Sequence, residues 1–199
     1  MSLSLLFAMF SFSLAMSISP GPVNMIILSS GVDYGAKKTM PYVSGATIGF
    51  TLLLLFVGFF FNKLIEAYPF LLTFISIAGV LYIIYMGYKI ASSHPEIEVK
   101  KTNIPKFYEG FLLQWLNPKA WIACVSGASI FSSHTSYGPF LIFASIYFIV
   151  CYVSLAIWAI LGEKIAFLLK SRSRLRLFNL LTGLLLIVTA IYIGYTQFK

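Results

Sequence analysis

The stretch Ser19-Pro20-Gly21-Pro22-Val23-Asn24 lies inside an apolar run that extends from Leu3 to about Gly31. Each proline removes a backbone donor and blocks the carbonyl one turn earlier, and glycine adds backbone freedom, so a regular helix must break here. Within hydrocarbon, such a break is tolerated only where it is buried in protein or lines a water-filled cavity. We therefore predict a broken transmembrane helix whose break faces a path for a polar solute.

A second apolar run is interrupted in the same way, at Asn117-Pro118-Lys119. Pro22 and Pro118 are 96 positions apart, and at the same offset Ser30-Gly31 corresponds to Ser126-Gly127. Two similar halves with three spans each must be inverted relative to each other, which is a known plan of secondary transporters. The sequence thus predicts two inverted repeats whose broken helices face each other.

The composition indicates that lipid surrounds most of the chain. Of the 199 residues, 59% are hydrophobic and 10% are charged, whereas a soluble domain carries about 25% charged residues. Six apolar segments of about 20 residues each are long enough to span a bilayer. They cover residues 3–30, 40–61, 70–91, 107–131, 139–161 and 177–197.

The predicted fold is all-α: a polytopic membrane protein with six transmembrane helices, arranged as two inverted three-helix repeats in which helices 1 and 4 are broken. Residues 1–91 form the first repeat, residues 92–106 form a polar cytoplasmic linker, and residues 107–199 form the second repeat.

The distribution of basic residues predicts the orientation. The net charge is +8, but no basic face carries the interleaved polar side chains of a nucleic-acid reader, so we predict no nucleic-acid partner. Eleven of the 14 lysines and arginines lie in the first, third and fifth connections. By the positive-inside rule these connections are cytoplasmic and both termini lie on the outer side. We expect the membrane to be the inner or plasma membrane. The oligomeric state is left open.

The candidate substrate-binding residues lie at the two breaks. Lys119 sits near the middle of a span, where a lysine costs on the order of 3 kcal/mol, so we expect it either to contact a substrate carboxylate or to act as a gate. The helix segments that restart at each break point positive ends inward, which suits a carboxylate. Polar side chains nearby can bind a zwitterion or satisfy backbone groups that the prolines free. The predicted set is Pro20, Gly21, Pro22, Asn24, Gln114, Asn117, Pro118 and Lys119.

Two acidic residues near the cytoplasmic ends of helices 1 and 4, Asp33 and Glu109, are candidates to carry a coupling proton or to pair with a base. No Walker, zinc-site, G-x-S-x-G or dinucleotide motif occurs, so we predict neither an enzyme nor a cofactor or metal site. An alternative stays open: a non-transporting assembly factor or complex subunit that binds its partner through the basic connection Lys164–Arg176.

The motif Ser-Pro-Gly-Pro-x-Asn at 19–24 and the segment Gln114–Ala120 resemble the two signatures of the LysE/RhtB family of amino-acid exporters. The resemblance covers essentially the whole chain. It implies antiport driven by an ion gradient, with H⁺ as the expected ion, that exports amino acids or close derivatives. The region Ser19–Phe50 is most similar to the branch that exports cysteine and O-acetylserine; a homoserine or threonine type is the other neutral option. Val23 departs from the family, in which Asp or Asn is common at this position.

Overall fold

The computed structural model describes residues 2–61, 70–92, 104–131, 137–168 and 172–197. These residues form helices without a strand among them, which confirms the all-α class. The helices are α1 (Leu3–Ile18), α2 (Pro22–Tyr34), α3 (Ala36–Phe56), α4 (Phe70–Ala91), α5 (Phe107–Trp115), α6 (Pro118–Phe131), α7 (Gly138–Leu168) and α8 (Arg172–Gln197). A π-helical turn, Val57–Phe61, extends α3.

Both predicted helix breaks are present. The backbone leaves the helical conformation at Ser19, passes through an extended Gly21 and restarts at Pro22, the first residue of α2. Proline is favoured at this position because the first helical N–H has no partner within the helix and the ring presets φ. The two segments α1 and α2 meet at 59°. The second break separates α5 from α6, which also begins with a proline, Pro118.

Several of the helices have the length and apolar character of membrane spans. Within the described residues, Ala36–Phe60 and Gly138–Ala166 each meet this criterion alone. The bent pair α1 and α2 meets it as one unit, which gives up to three spans. The chain is therefore a multi-pass membrane protein by these helices, and the full set of six spans stays a prediction.

Two predicted connections prove to be mainly helical. The expected loop after Gly31 consists of one residue, Gly35. With a φ of 83°, Gly35 is both the C-cap of α2 and the N-cap of α3. The prediction that Lys164–Arg176 is a connection between helices is also wrong for most of these residues, because α7 continues to Leu168 and α8 begins at Arg172. Helices often continue into water beyond the apolar segment when good helix formers follow it. The predicted linker 92–106 lies mostly outside the described residues.

Glycines bring two helix pairs, α2 with α7 and α3 with α5, into close contact. A Cβ atom on Gly31 of α2 would collide with the carbonyl oxygen of Ala159 on α7, and one on Gly162 would collide with that of Leu28. Gly45 and Gly49 of α3 meet the backbone of α5 in the same way. Without a hydrophobic driving force in lipid, such small residues let helices gain packing contacts at short range.

Aromatic rings pack α7 against its neighbouring helices. Phe12, Phe131 and Phe143 contact one another with centroid distances of 4.5 to 5.9 Å. On the next turn of α7, Tyr147 stacks on Phe50 of α3 with centroids 4.3 Å apart and ring planes 19° apart. These contacts fix α7 against α1, α3 and α6, so that one face of α7 looks into the junction of the two breaks.

Candidate functional site

The two helix breaks meet through Lys119, as their spacing predicts. The Lys119 ammonium donates to the carbonyl oxygen of Ser19 at 2.8 Å, to the Ser19 hydroxyl at 2.8 Å and to the carbonyl oxygen of Pro20 at 3.2 Å. We call these three hydrogen bonds the Lys119 bridge. An ammonium has three donors, so in this conformation none is left for a ligand. The positive charge also lies at the negative C-terminal end of α1, which stabilises both.

The last carbonyl groups of α1 all receive hydrogen bonds. Asn24 of α2 donates its side-chain amide to the Ser17 carbonyl at 2.9 Å. Trp158 of α7 donates its indole N–H to the Ile18 carbonyl at 3.2 Å. Lys119 donates to the two carbonyl groups that follow, those of Ser19 and Pro20. Since an unsatisfied carbonyl inside a membrane protein costs several kcal/mol, these donors are what allow α1 to end within the protein.

The second break is capped by its own residues. The Asn117 side-chain oxygen accepts the backbone N–H of Lys119 at 3.2 Å, and the Asn117 carbonyl accepts those of Ala120 and Trp121. The indole N–H of Trp121 closes the last carbonyl of α5, that of Trp115, at 2.8 Å. Asn117 is therefore an N-cap of the usual kind, and the N-terminal donors of α6 are occupied.

The N-terminus of α2 differs, because no side chain caps it. Gly21 stands at the cap position, Pro22 has no N–H, and the structure gives no hydrogen-bond acceptor to the backbone N–H groups of Val23 and Asn24 among the described residues. Of the two inward-pointing helix starts that the sequence predicts, only this one has open donors. Open backbone donors and the positive end of the helix dipole together attract an anionic group.

A small cavity of about 40 Å³ lies at the junction of the breaks. Its apolar wall includes Met16, Val23, Phe50 and Leu155. Its polar wall includes Ser17, Asn24, Gln114, Asn117, Lys119 and Tyr147. In this conformation the cavity has room for a few water-sized groups, so a small solute fits best. Lys119 is the only charged residue among those that line it.

Four of the predicted binding residues come together at this cavity: Asn24, Gln114, Asn117 and Lys119. Pro20, Gly21, Pro22 and Pro118 shape the backbone around it, and Gly21 leaves room for the Lys119 side chain, since a Cβ atom there would lie 3.1 Å from Lys119 Nζ. The Gln114 side chain is 5% exposed and makes no hydrogen bond among the described residues, so its amide is available to a ligand.

The two predicted proton carriers do not line the cavity. Asp33 is half-buried at the end of α2, with its carboxyl next to the side chain of Asn179 on α8. Glu109 accepts the backbone N–H of Lys106 at 2.8 Å and so caps the start of α5. The geometry gives Glu109 a structural partner, and leaves Asp33 as the acidic residue inside the helix bundle.

No group of three or more His, Cys, Asp or Glu side chains that could hold a metal occurs in the described part of the chain.

Four further residues line or close the site and are not among those predicted from the sequence: Ser17, Tyr147, Cys151 and Trp158. Each is unremarkable in an apolar segment, and Trp and Tyr are common at membrane interfaces. One signal was present: Met9, Ser13 and Ser17 recur every four residues and form the buried face of α1.

The family model of the LysE type translocator matches residues 14–197, which is nearly the whole chain. The chain belongs to the LysE type translocator family. It is also 29% identical over 131 residues to a cysteine/O-acetylserine efflux protein of Escherichia coli O1:K1 / APEC, covering 66% of this chain and 67% of that one. The protein of the same description from E. coli strain K12 is 28% identical over the same length and shares. No solved structure matches the chain.

Proposed function

We propose that this LysE-family member is a secondary transporter that exports a small neutral amino acid, or a close derivative, from the cytoplasm. The observation that carries the proposal is the cavity at the two breaks, where the uncapped start of α2 offers backbone donors beside Asn24, Gln114 and Asn117. The relatives described as cysteine/O-acetylserine efflux proteins support the same class of substrate.

In this proposal the substrate carboxylate binds at the N-terminus of α2. The Lys119 donors are occupied by Ser19 and Pro20, so Lys119 acts as a gate that holds the two breaks together. The amide groups of Asn24, Gln114 and Asn117 lie near enough to the cavity to orient the remaining polar groups of the zwitterion.

Transport proceeds by alternating access between two inverted three-helix halves. The protein has six spans in the inner or plasma membrane, with the basic connections in the cytoplasm and both termini on the outer side. The packing supports this plan. The helix α3 packs on the segment α5 of the second broken helix, and α7 packs on the first broken pair. The α3–α5 contact and the α1–α7 contact exchange with each other when the halves are exchanged, while α4 and α8 pair with each other.

The alternative, a non-transporting assembly factor, fits less well. A structural subunit has no need of a polar cavity inside an otherwise apolar bundle, and burying polar groups costs free energy. The cavity with the free Gln114 amide therefore favours carriage of a solute.

The test uses purified protein in liposomes that are loaded with labelled neutral amino acids, with and without an imposed pH gradient. We expect efflux or exchange of at least one small neutral amino acid, faster than in protein-free liposomes, and stimulation by the gradient. A monodisperse, folded protein that moves none of them under either condition would overturn the proposed function.

A further inference from the structure

The hydroxyl group of Ser17 is buried without a partner. Ser17 is 6% exposed, and its Oγ makes no hydrogen bond. One turn earlier on the same face of α1, the Ser13 hydroxyl donates to the Met9 carbonyl at 2.7 Å, which is the usual solution for a buried serine in a helix. Buried polar groups are nearly always paired, so we expect a ligand in the cavity to form a hydrogen bond with the Ser17 hydroxyl.

Two other uncharged polar groups face the same point. The Ser17 hydroxyl lies next to the Tyr147 hydroxyl and the Cys151 thiol, both on α7 and both lining the cavity. The Tyr147 ring is fixed on two sides, by Phe50 at 4.3 Å and by the edge of Phe143 at 5.7 Å. Its hydroxyl is therefore held in place rather than free to swing away.

Ser17 is in direct contact with a residue of the proposed carboxylate site. The Asn24 side chain, at the start of α2, donates to the backbone carbonyl of Ser17 at 2.9 Å. A single small molecule can thus place its carboxylate at the α2 N-terminus and a second polar group against Ser17. No acidic or basic side chain among the lining residues is available there, because Lys119 is committed to Ser19 and Pro20.

We propose that Ser17, Tyr147 and Cys151 form the subsite for the substrate's side chain, and that this subsite selects small side chains with an uncharged hydrogen-bonding group such as a hydroxyl, thiol or ester. The inference rests on the proposed function. A charged side chain finds no counter-charge there, and a purely apolar one leaves the Ser17 hydroxyl unpaired.

The experiment measures competition in liposomes that contain the full-length protein, with labelled L-serine exchange as the readout. Two matched pairs of competitors are compared: L-serine against L-alanine, which lacks the hydroxyl, and L-cysteine against L-2-aminobutyrate, in which a methyl group replaces the thiol. We expect the polar member of each pair to compete roughly tenfold more effectively, the equivalent of a hydrogen bond of about 1.4 kcal/mol.

The variant Ser17→Ala should reduce both preferences to near one. The matched control is Ser13→Ala, which removes a buried hydroxyl from the same face of α1 but outside the cavity, and it should keep the preferences of the natural protein. Tyr147→Phe gives a second variant, also expected to reduce the preferences, in case Ser17→Ala does not fold.

The outcomes separate the two proposals. If L-serine is not exchanged but other amino acids are, or if L-serine and L-alanine compete equally, the subsite is overturned while the transport function stands. If Ser17→Ala and Tyr147→Phe both keep the full preferences, the subsite is again wrong. If no amino acid of any kind is carried, both proposals fail.

Discussion

Lys119 Nζ and the carbonyl oxygen of Ser19 lie 2.8 Å apart, although the two residues are 100 positions apart in the sequence. This contact joins the C-terminal end of α1 to the first turn of α6, and so it joins the two breaks directly. A charge-assisted hydrogen bond of this kind is stronger than a neutral one. Any movement that separates the breaks must first break it.

The first prediction concerns this bridge. Lys119→Ala removes all three hydrogen bonds and leaves two carbonyl groups without donors, so we expect the rate of transport to fall by about tenfold or more, the effect of about 1.4 kcal/mol or more on one step of the cycle. We also expect the cavity-lining thiol of Cys151 to react faster with a water-soluble maleimide, measured in a Cys124→Ala background.

The control for the bridge is Lys106→Ala, which removes an exposed lysine beside Tyr108 and should change neither measurement. Lys119→Ala protein with normal transport and unchanged thiol reactivity would contradict a gating role for Lys119.

The second prediction separates two tryptophans. Trp158→Phe keeps an aromatic ring but removes the indole N–H that serves the Ile18 carbonyl, so we expect a loss of about 1–3 kcal/mol of stability from the unsatisfied carbonyl. Trp115→Phe is the matched control, because the indole N–H of Trp115 is buried without a partner, and its loss should be neutral or stabilising. Thermal unfolding in detergent measures both, and equal losses would show that Trp158 acts through packing alone.

The third prediction concerns the crossing of α2 and α7. Gly31→Ala places a methyl group against the Ala159 backbone, which cannot move aside as a side chain can. We expect destabilisation at or above the upper end of the usual range for overpacking, about 1–3 kcal/mol. In Gly21→Ala the new methyl group meets only the Lys119 side chain at 3.1 Å, so the loss of thermal stability should be smaller. The reverse order would mean that the α2–α7 contact is not close-packed.

The fourth prediction concerns coupling to protons. Asp33→Asn removes the one ionisable carboxyl that lies inside the described bundle next to Asn179, so we expect stimulation by a pH gradient to disappear while exchange without a gradient continues. Glu109→Gln alters a carboxylate that caps α5 from outside the cavity and should keep the stimulation. Asp33 would be excluded as the proton carrier if Asp33→Asn protein still responded fully to the gradient.

The breaks were predictable because proline acts locally: its missing N–H and fixed φ interrupt a helix whatever surrounds it. Helix α4 has the predicted bounds, Phe70–Ala91. The ends of α2, α3 and α7 were not predictable, because hydropathy locates the edge of the lipid and not the end of the helix. The connection at Gly35 depends on a positive φ of 83°. Glycine permits this conformation, but a glycine in the sequence does not by itself predict it.

The chemistry of the site was only partly accessible from the sequence. Asn24, Gln114, Asn117 and Lys119 stand out as polar residues next to prolines in apolar segments. That the donors of Lys119 are used within the protein, and that α6 is capped while α2 is not, depends on side-chain directions across 100 residues of sequence. Ser17 and Tyr147 belong to the site only because α1 and α7 happen to cross there.

The single-residue junction at Gly35 has a mechanical consequence. The N–H of Ala36, which begins α3, donates to the Glu163 carboxylate of α7 at 3.2 Å, so α2, α3 and α7 meet at one corner. A link of one residue holds no slack, and α2 cannot slide along its axis unless α3 is pulled with it. A tilt of α3 in the bilayer would therefore also displace α2, whose open start lies at the opposite end of that helix from Gly35.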